Sequence, residues 1–201
     1  MKALRLDYKN LWFSYGNKEI LRGASLSLSP ESLVLLTGSS GCGKTTLLRV
    51  LAGLEKPNAG ELPPKLRCSV VFQEDRLLPG LSALRNTQLV LPRRLKDTEN
   101  RERLRDCLAE ILPPDSLDVP VEQLSGGMRR RAAIARAMLA DSELLLMDEP
   151  LNGLDADTER QVIAFIQKYR NRRPMLIVTH RTEPFRPLRP VILRLEAGKL
   201  L

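Results

Sequence analysis

The sequence predicts an α/β fold in which short apolar strands alternate with amphipathic helices. Residues 33–36, 144–147 and 175–178 are wholly apolar runs, of the kind that form parallel strands buried on both faces. The first two runs end at glycine or at acidic residues, and apolar residues at helical spacing follow them. Between residues 74 and 136 the composition changes to prolines and charged helical patterns, which predicts a helical insertion in the α/β domain.

The composition is that of a globular protein with a sizeable core. The chain has 201 residues, of which 43% are hydrophobic. No apolar run approaches the roughly 18 residues of a membrane span, and the N-terminus lacks the apolar region of a signal peptide. The three cysteines form no metal-ligand pattern and fit a reducing compartment. We therefore expect a soluble protein of the cytosol.

The formal net charge of +8 is compatible with nucleic acid, an acidic membrane surface, a polyphosphate ligand or an acidic partner. Aromatic residues make up only 4% of the chain, too few for the stacking platforms that bind single strands. Arg129, Arg130 and Arg131 fall inside a helical pattern, which predicts a solvated helix face rather than a nucleic-acid patch. We expect no nucleic-acid partner.

The N-terminal region predicts antiparallel strands. Short alternating segments within residues 3–28 are separated by turn signals that contain Gly16 and Gly23. Trp12 and Tyr15 are aromatic residues in this region, and two interpretations are open for each. The flat ring could stack on an adenine base, or it could pack in the core or at a sheet edge.

A phosphate-binding loop follows the strand at residues 33–36. Gly38, Gly43, Lys44 and Thr45 fit the pattern G-x-x-x-x-G-K-[ST]. The glycines let successive backbone N–H groups point at phosphate oxygens, and the start of the next helix adds its positive end. Lys44 would reach the β- and γ-phosphates, and the Thr45 hydroxyl would bind Mg²⁺. A glycine-rich turn before an ordinary helix is the alternative, but the flanking strand and helix favour nucleoside triphosphate binding.

A second strand, at residues 69–72, ends at Gln73, where ligands of open α/β sheets bind. The insertion begins after it. Asp97 or Thr98 is predicted to cap a helix that Pro113 helps to end.

Two further segments place polar groups at the start of a helix or at the end of a strand. Ser125 opens a Ser-Gly-Gly sequence at a helix start, which is an anion site in principle and also a common loop signal. Asp148 and Glu149 end an apolar strand, where one carboxylate can hold the Mg²⁺ shell and the next can orient or deprotonate water. Asp155 is predicted to cap the next helix. His180, the single histidine, ends another strand at the same sheet edge, which favours a functional role.

Together these motifs resemble the ABC-type ATPases, the nucleotide-binding subunits of ATP-binding-cassette transporters. The resemblance covers nearly the whole chain, in the order of the family's motifs. It implies a P-loop NTPase core with an N-terminal antiparallel β subdomain and an inserted α-helical subdomain. A single domain over residues 1–201 is implied, with a RecA-like core at 1–73 and 137–201 and the helical subdomain at 74–136.

The resemblance assigns a role to each motif. Glu149, His180 and Gln73 are implied to be catalytic, and Thr45, Gln73 and Asp148 are implied to hold Mg²⁺. Asp155 stands in the D-loop. The implied ATP-binding residues are Tyr15 as the adenine-stacking aromatic and the Walker A residues Gly38, Ser39, Ser40, Gly41, Cys42, Gly43, Lys44, Thr45 and Thr46. The implied signature, which would act in trans, is Ser125, Gly126, Gly127 and Met128.

The family mechanism implies a head-to-tail homodimer, or a paired cassette, with ATP held between the copies. Ser125 and Gly127 of one copy would face the γ-phosphate bound by Lys44 of the other. The implied partners are transmembrane permease subunits and, for an importer, a substrate-binding protein. The implied location is peripheral, on the cytoplasmic face of the inner membrane.

The sequence also departs from the family pattern. Met128 replaces the usual glutamine of the signature, for which we expect an altered rate and not a lost function. Only 29 positions separate Lys44 from Gln73, so a hairpin of the antiparallel subdomain is expected to be trimmed.

The expected role is the energy subunit of a small-molecule importer. Residues 72–79 resemble the corresponding region of sulfonate, taurine and nitrate-type importers. The alternatives are a small exporter cassette for haem or lipoprotein release, a soluble ABC ATPase acting on ribosomes or DNA, and a non-hydrolysing structural cassette. The last is disfavoured because Glu149 and His180 are both present.

Overall fold

The computed structural model describes residues 5–92 and 98–201, and these residues form an α/β structure with two sheets. The strands are β1 (Leu6–Tyr15), β2 (Lys18–Leu28), β3 (Leu33–Thr37), β4 (Ala59–Glu61), β5 (Cys68–Val71), β6 (Leu144–Asp148), β7 (Met175–Val178), β8 (Val191–Glu196) and β9 (Lys199–Leu200). The helices are α1 (Lys44–Leu51), α2 (Ala83–Gln88), α3 (Thr98–Ala109), α4 (Gly126–Leu139) and α5 (Ala156–Tyr169).

The N-terminal strands form a three-stranded antiparallel sheet in the order β2-β1-β4. Alternate residues of β1 are buried, which is the pattern of a sheet with one face on the core. The predicted antiparallel strands are therefore confirmed. Strand β4 lies in a segment whose turn signals are typical of a connection without secondary structure. Its three residues are all exposed, so they lack the apolar alternation that predicts a strand.

The second sheet has the order β5-β6-β7-β3-β8-β9. Strands β6, β7, β3 and β8 run parallel, and β9 is antiparallel to β8. The predicted apolar runs of β3, β6 and β7 are buried along their whole length, as expected for strands covered on both faces. Val178 pairs with both Leu36 and Asp148, so the carboxyl ends of these strands meet at one edge.

The chain divides into two compact units. The sheet unit contains the described residues of Met1–Val70 together with Ser142–Glu149 and Arg172–Leu201. The helical unit contains the described residues of Val71–Asp141 together with Pro150–Asn171, and so includes α5 as well as the insertion. The RecA-like core predicted at residues 1–73 and 137–201 includes α5. The predicted division at residues 74 and 136 follows motif boundaries and stays a prediction.

Helix starts agree with the sequence signals where they lie in the described residues. Asp155 caps α5, accepting hydrogen bonds from the backbone amides of Asp157 and Thr158 at 3.1 and 2.9 Å. The predicted cap of α3 at Asp97 or Thr98 lies outside the residues whose side chains are described. Helix α1 ends at Leu51, and Leu54, three residues beyond it, is 52% exposed.

Among the described residues, no helix combines the length and the apolar character that crossing a membrane requires.

Candidate functional site

The loop between β3 and α1 is tight enough to require glycine at two positions. Gly38 and Gly43 have φ angles of 146° and 107°, which side-chain-bearing residues rarely adopt. A Cβ atom on Gly38 would lie 2.5 Å from the backbone oxygen of Leu195, and one on Gly43 would lie 2.6 Å from Cγ2 of Ile20. The backbone of the loop is therefore held between β8 and β2, with no room for larger residues.

Lys44 is the first residue of α1 and is only 6% exposed. Its ammonium group donates to the backbone oxygens of Gly38 and Ser39, both at 2.9 Å. Burial of a lysine requires such partners, and here they fix the ammonium group inside the loop. Ser39 and Ser40 are exposed at the mouth of the loop. A fixed positive charge, loop amides and a helix start together can hold phosphate oxygens.

Thr45 and Asp148 are brought together from α1 and β6. The Thr45 hydroxyl donates to Oδ2 of Asp148 at 2.8 Å, and Asp148 is 4% exposed. Neighbouring ligands of an octahedral Mg²⁺ ion lie about 2.9 Å apart, since each bond is roughly 2.0–2.1 Å long. The two oxygens thus fit adjacent positions on Mg²⁺. Among the described residues, no group of three or more His, Cys, Asp or Glu side chains is arranged to hold a metal ion.

Glu149 directly follows β6 and has a φ angle of 46°, a conformation that costs free energy in a residue with a Cβ atom. Its carboxylate is 22% exposed, and Oε1 lies 3.5 Å from Nε2 of His180. Burial raises the pKa of Glu149, and the negative charge of Asp148 adds to this. The charge and backbone amide of His180 and the charge of Lys44 lower the pKa in opposition. The arrangement gives a carboxylate that can accept a proton from water.

Tyr15 lies at the exposed end of β1. Its ring is 49% exposed and rests edge-on against Phe13, with ring centroids 4.8 Å apart. Tyr15 pairs with Lys18 of β2, two residues before the Ile20 side chain that lies against Gly43. An exposed aromatic ring therefore stands on the hairpin that contacts the phosphate loop. Trp12 is 38% exposed, and its indole N–H donates to the Asn10 side chain of the same strand at 3.1 Å.

The remaining predicted residues belong to the helical unit. Gln73 is exposed, two residues after β5. Ser125 caps α4, with its hydroxyl accepting from the Met128 amide at 3.2 Å. Gly126 is exposed, and Gly127 is half-buried in contact range of Leu154. The Asp155 carboxylate accepts hydrogen bonds from the first turn of α5, chiefly from Thr158, and these hydrogen bonds lower the pKa of Asp155. The structure thus gathers the loop, Asp148, Glu149 and His180 in one unit and Gln73, the Ser-Gly-Gly segment and Asp155 in the other.

Arg130 makes buried contacts that its helical pattern in the sequence did not predict. Arg130 is only 5% exposed. Its guanidinium group donates to three backbone oxygens, those of Phe72, of Gln73 at 3.4 Å and of Pro150 at 3.1 Å. It also pairs with Asp75 at 3.4 Å. The buried Arg130 side chain therefore fixes the backbone at Gln73 and at Pro150, the residue directly after Glu149.

The prediction of a solvated arginine face on α4 was wrong. Arg129 and Arg131 are half-buried and donate to the backbone oxygens of Leu124 at 2.6 Å and Ile111 at 2.7 Å. A guanidinium group has five N–H donors, so it can satisfy backbone carbonyl groups that no helix or sheet pairs. The helical pattern located these residues on α4, but it contained no signal for partners that are main-chain oxygens outside the helix.

Residues 21–152 match the family described as ABC transporter. The chain is 42% identical over 195 residues to the aliphatic sulfonates import ATP-binding protein SsuB 1 of Paraburkholderia xenovorans, covering 92% of this chain and 56% of that protein. It is 40% identical over 190 residues to the corresponding SsuB protein of Corynebacterium glutamicum, covering 93% of this chain and 78% of that protein. The chain thus spans little more than half the length of the first of these relatives.

Solved structures of ATP-binding cassettes also resemble this chain. An ATP-binding cassette solved as a dimer in a post-hydrolysis state, bound to ADP and Pi, superposes with a TM-score of 0.81 at 27% identity. The match covers 97% of this chain and 96% of that one. The predicted α/β fold class, a P-loop NTPase fold with an antiparallel β region and an inserted helical region, is confirmed by this neighbour.

Proposed function

The chain belongs to the ABC transporter family, and from that premise we propose that it binds and hydrolyses ATP to power transport through a partner permease. The observation that carries the proposal is the meeting of the phosphate loop, Asp148 and Glu149 at the carboxyl ends of β3 and β6. That edge is where parallel α/β sheets bind their ligands. Phosphoryl transfer needs a phosphate cradle, a metal ligand and a residue that orients water, and the contacts of Lys44, Thr45 and Glu149 at that edge support these three roles.

Each residue has a part in the proposed reaction. Tyr15 stacks on the adenine ring, and Lys44 with the amides of residues 39–46 holds the phosphates. Thr45 and Asp148, with Gln73 as a further ligand, would hold Mg²⁺, which would supply positive charge to neutralise the phosphates. Glu149 orients the attacking water and accepts its proton. His180 contacts the γ-phosphate and stabilises charge as it develops.

The proposed active form is a pair of cassettes. Ser125, Gly126, Gly127 and Met128 of one copy would face the γ-phosphate in the phosphate loop of the other, and Asp155 would contribute to the contact between copies. Ser125 and Gly126 are exposed at the start of α4 in a single copy, as such a contact requires. The solved cassette that superposes on this chain is itself a dimer.

The proposed direction of transport is import of a small molecule. The names of the relatives, which are aliphatic sulfonates import ATP-binding proteins, support an importer over the exporter and ribosome or DNA alternatives. The proposed partners are a membrane permease and a substrate-binding protein. The proposed location is the cytoplasmic face of the inner membrane, where ATP is available to the cassette.

The test of this proposal is ATP hydrolysis by the purified chain in the presence of Mg²⁺. We expect turnover by the wild type and a loss of about 10²-fold or more in Lys44→Ala, because Lys44 supplies the fixed charge that holds the phosphates. Lys56→Ala, at an exposed lysine of the same unit, is the matched control and should behave as wild type. Equal turnover by the two alanine variants would contradict the proposal.

Cys42 gives a second prediction, because its thiol lies inside the phosphate loop. Its sulfur atom is 2.9 Å from the place that a Cβ on Gly38 would occupy. A maleimide on Cys42 should therefore obstruct the phosphates and abolish ATP binding, and prior addition of Mg-ATP should slow the modification. Mass spectrometry identifies the modified cysteine, and Cys42→Ala is the control. Normal ATP binding by protein that carries the adduct on Cys42 would show this prediction to be wrong.

A further inference from the structure

The turn between β8 and β9 lies against strand β2. It consists of Ala197 and Gly198. The Arg22 amide of β2 donates to the backbone oxygen of Gly198 at 2.8 Å. A Cβ atom on Gly198 would lie 2.9 Å from the backbone oxygen of Ile20 and 2.9 Å from Cγ of Arg22. Real Cβ atoms do not approach backbone atoms so closely, and a residue other than glycine would therefore displace β2.

The same β8–β9 hairpin supports the phosphate loop. Leu195 of β8 is fully buried, and its backbone oxygen would lie 2.5 Å from a Cβ on Gly38. Its Cδ2 atom would lie 3.6 Å from a Cβ on Gly43. Thr37, directly before the loop, donates its hydroxyl to the backbone oxygen of Leu193 at 3.1 Å. The hairpin thus contacts the phosphate loop through β8 and strand β2 through its turn.

Strand β2 connects these contacts to the aromatic ring of Tyr15. The backbone oxygen of Ile20 faces Gly198, and its Cγ2 atom is 2.6 Å from the place that a Cβ on Gly43 would occupy. Two residues before Ile20, Lys18 pairs with Tyr15 of β1. Ile20 is therefore held between the phosphate loop and the β8–β9 turn, and its position determines where the end of the β1–β2 hairpin lies.

We propose that Gly198 is a positioning residue for nucleotide recognition, which sets the distance between the Tyr15 ring and the phosphate loop by its close approach to Ile20. A nucleoside triphosphate must reach both places at once, because its base stacks on the ring while its phosphates lie in the loop. A fixed distance favours a ligand with a base over a bare triphosphate. This inference rests on the proposed function, which places the adenine ring on Tyr15, and it adds the residue that holds the distance.

The phosphate contacts do not depend on the turn. Lys44 donates to the backbone oxygens of Gly38 and Ser39 within the loop itself. Leu195, which supports the loop from β8, lies in the buried part of the sheet. A displacement of β2 would therefore move the Tyr15 ring and leave the phosphate cradle intact. Recognition of the base should then be lost separately from binding of the phosphates, which a general loss of stability would not produce.

The test compares Mg-ATP with Mg-tripolyphosphate, which has the phosphates without the nucleoside, by calorimetric titration of the full chain. We expect the wild type to bind Mg-ATP about tenfold more tightly, in line with the contribution of one stacked base. Gly198→Ala should remove most of this preference by weakening Mg-ATP, with Mg-tripolyphosphate bound as by the wild type. Tyr15→Ala should have the same effect, and its addition to Gly198→Ala should change little, since both act on one contact.

The matched control is Gly53→Ala, at another glycine of the sheet unit with a positive φ, 69°. A Cβ on Gly53 would have no atom within 4 Å, so this variant imposes backbone strain without a contact on β2. It should keep the wild-type preference. An unchanged preference in Gly198→Ala, or an equal loss of affinity for both ligands, would overturn the positioning role.

A second variant decides the question if Gly198→Ala does not fold. Ile20→Ala removes the side chain that separates β2 from the phosphate loop and leaves the β8–β9 turn unchanged. It should also lower the preference for Mg-ATP and keep the affinity for Mg-tripolyphosphate. An unchanged preference in this variant would overturn the positioning role.

The same titrations separate this inference from the proposed function. Equal binding of the two ligands by the wild type and by Tyr15→Ala would show that Tyr15 does not stack on adenine, and this would overturn that part of the proposed function together with the positioning role. A preference for Mg-ATP that Tyr15→Ala removes and Gly198→Ala retains would overturn the positioning role alone.

Discussion

Glu149→Gln is expected to bind ATP and to lose hydrolysis by a factor of about 10²–10⁴, the usual contribution of a general base. The amide keeps the shape of the side chain but cannot accept the proton of the attacking water. The residue has a strained backbone and a partly buried carboxylate next to the phosphate loop, which is the environment of a functional group rather than of a surface glutamate. Measurement of phosphate release and of nucleotide affinity on the same sample checks both halves of the prediction.

The pH dependence of hydrolysis gives the same assignment a second test. A base must be deprotonated to act, so the rate falls as the pH drops through the pKa of Glu149. Because burial raises that pKa, the fall should begin at a higher pH than for an exposed glutamate. The control is Glu196→Gln, at an exposed glutamate of β8, which should keep the wild-type rate and profile. Wild-type turnover in Glu149→Gln would contradict the role.

Arg130→Met is expected to lower the free energy of unfolding by about 3 kcal/mol. Methionine fills much of the volume, but it leaves Asp75 and the backbone oxygens of Phe72 and Pro150 without their buried partner. Removal of one member of a buried pair costs roughly 3–5 kcal/mol, and the partial exposure of Asp75 places the value at the lower end. Denaturant titration at neutral pH measures the change.

The matched variant is Arg160→Met, at an arginine of α5 that pairs with Asp157 on the surface and is 74% exposed. Exposed ion pairs contribute about 0–1 kcal/mol, so this variant should be close to wild type. A loss of stability no larger in Arg130→Met than in Arg160→Met would show that the buried contacts do not hold the segment at Gln73.

The sequence was sufficient for the features that depend on local patterns. Apolar runs located β3, β6 and β7, and the glycine and lysine spacing located the phosphate loop, because the motif itself specifies a strand, a tight turn and a helix. Parallel pairing then brings the strand ends together, so Asp148 could be placed beside Thr45 before the 2.8 Å hydrogen bond between them was known.

The features that the sequence did not predict depend on contacts over long sequence separations. Apart from the Asp75 carboxylate, the partners of Arg130 are the backbone oxygens of residues 72, 73 and 150. Every residue type carries a backbone oxygen, so the sequence gives no sign of such a partner. The positive φ of Glu149 likewise depends on the segment that follows the strand and not on the residue type.

The mass of Glu149→Gln in solution, measured by light scattering with and without Mg-ATP, tests whether two copies enclose the nucleotide. We expect a single chain of 22.6 kDa without nucleotide and twice that mass with Mg-ATP, because unhydrolysed ATP should hold two copies together. A mass that remains at one chain while ATP is demonstrably bound would contradict the proposal that two copies enclose the nucleotide.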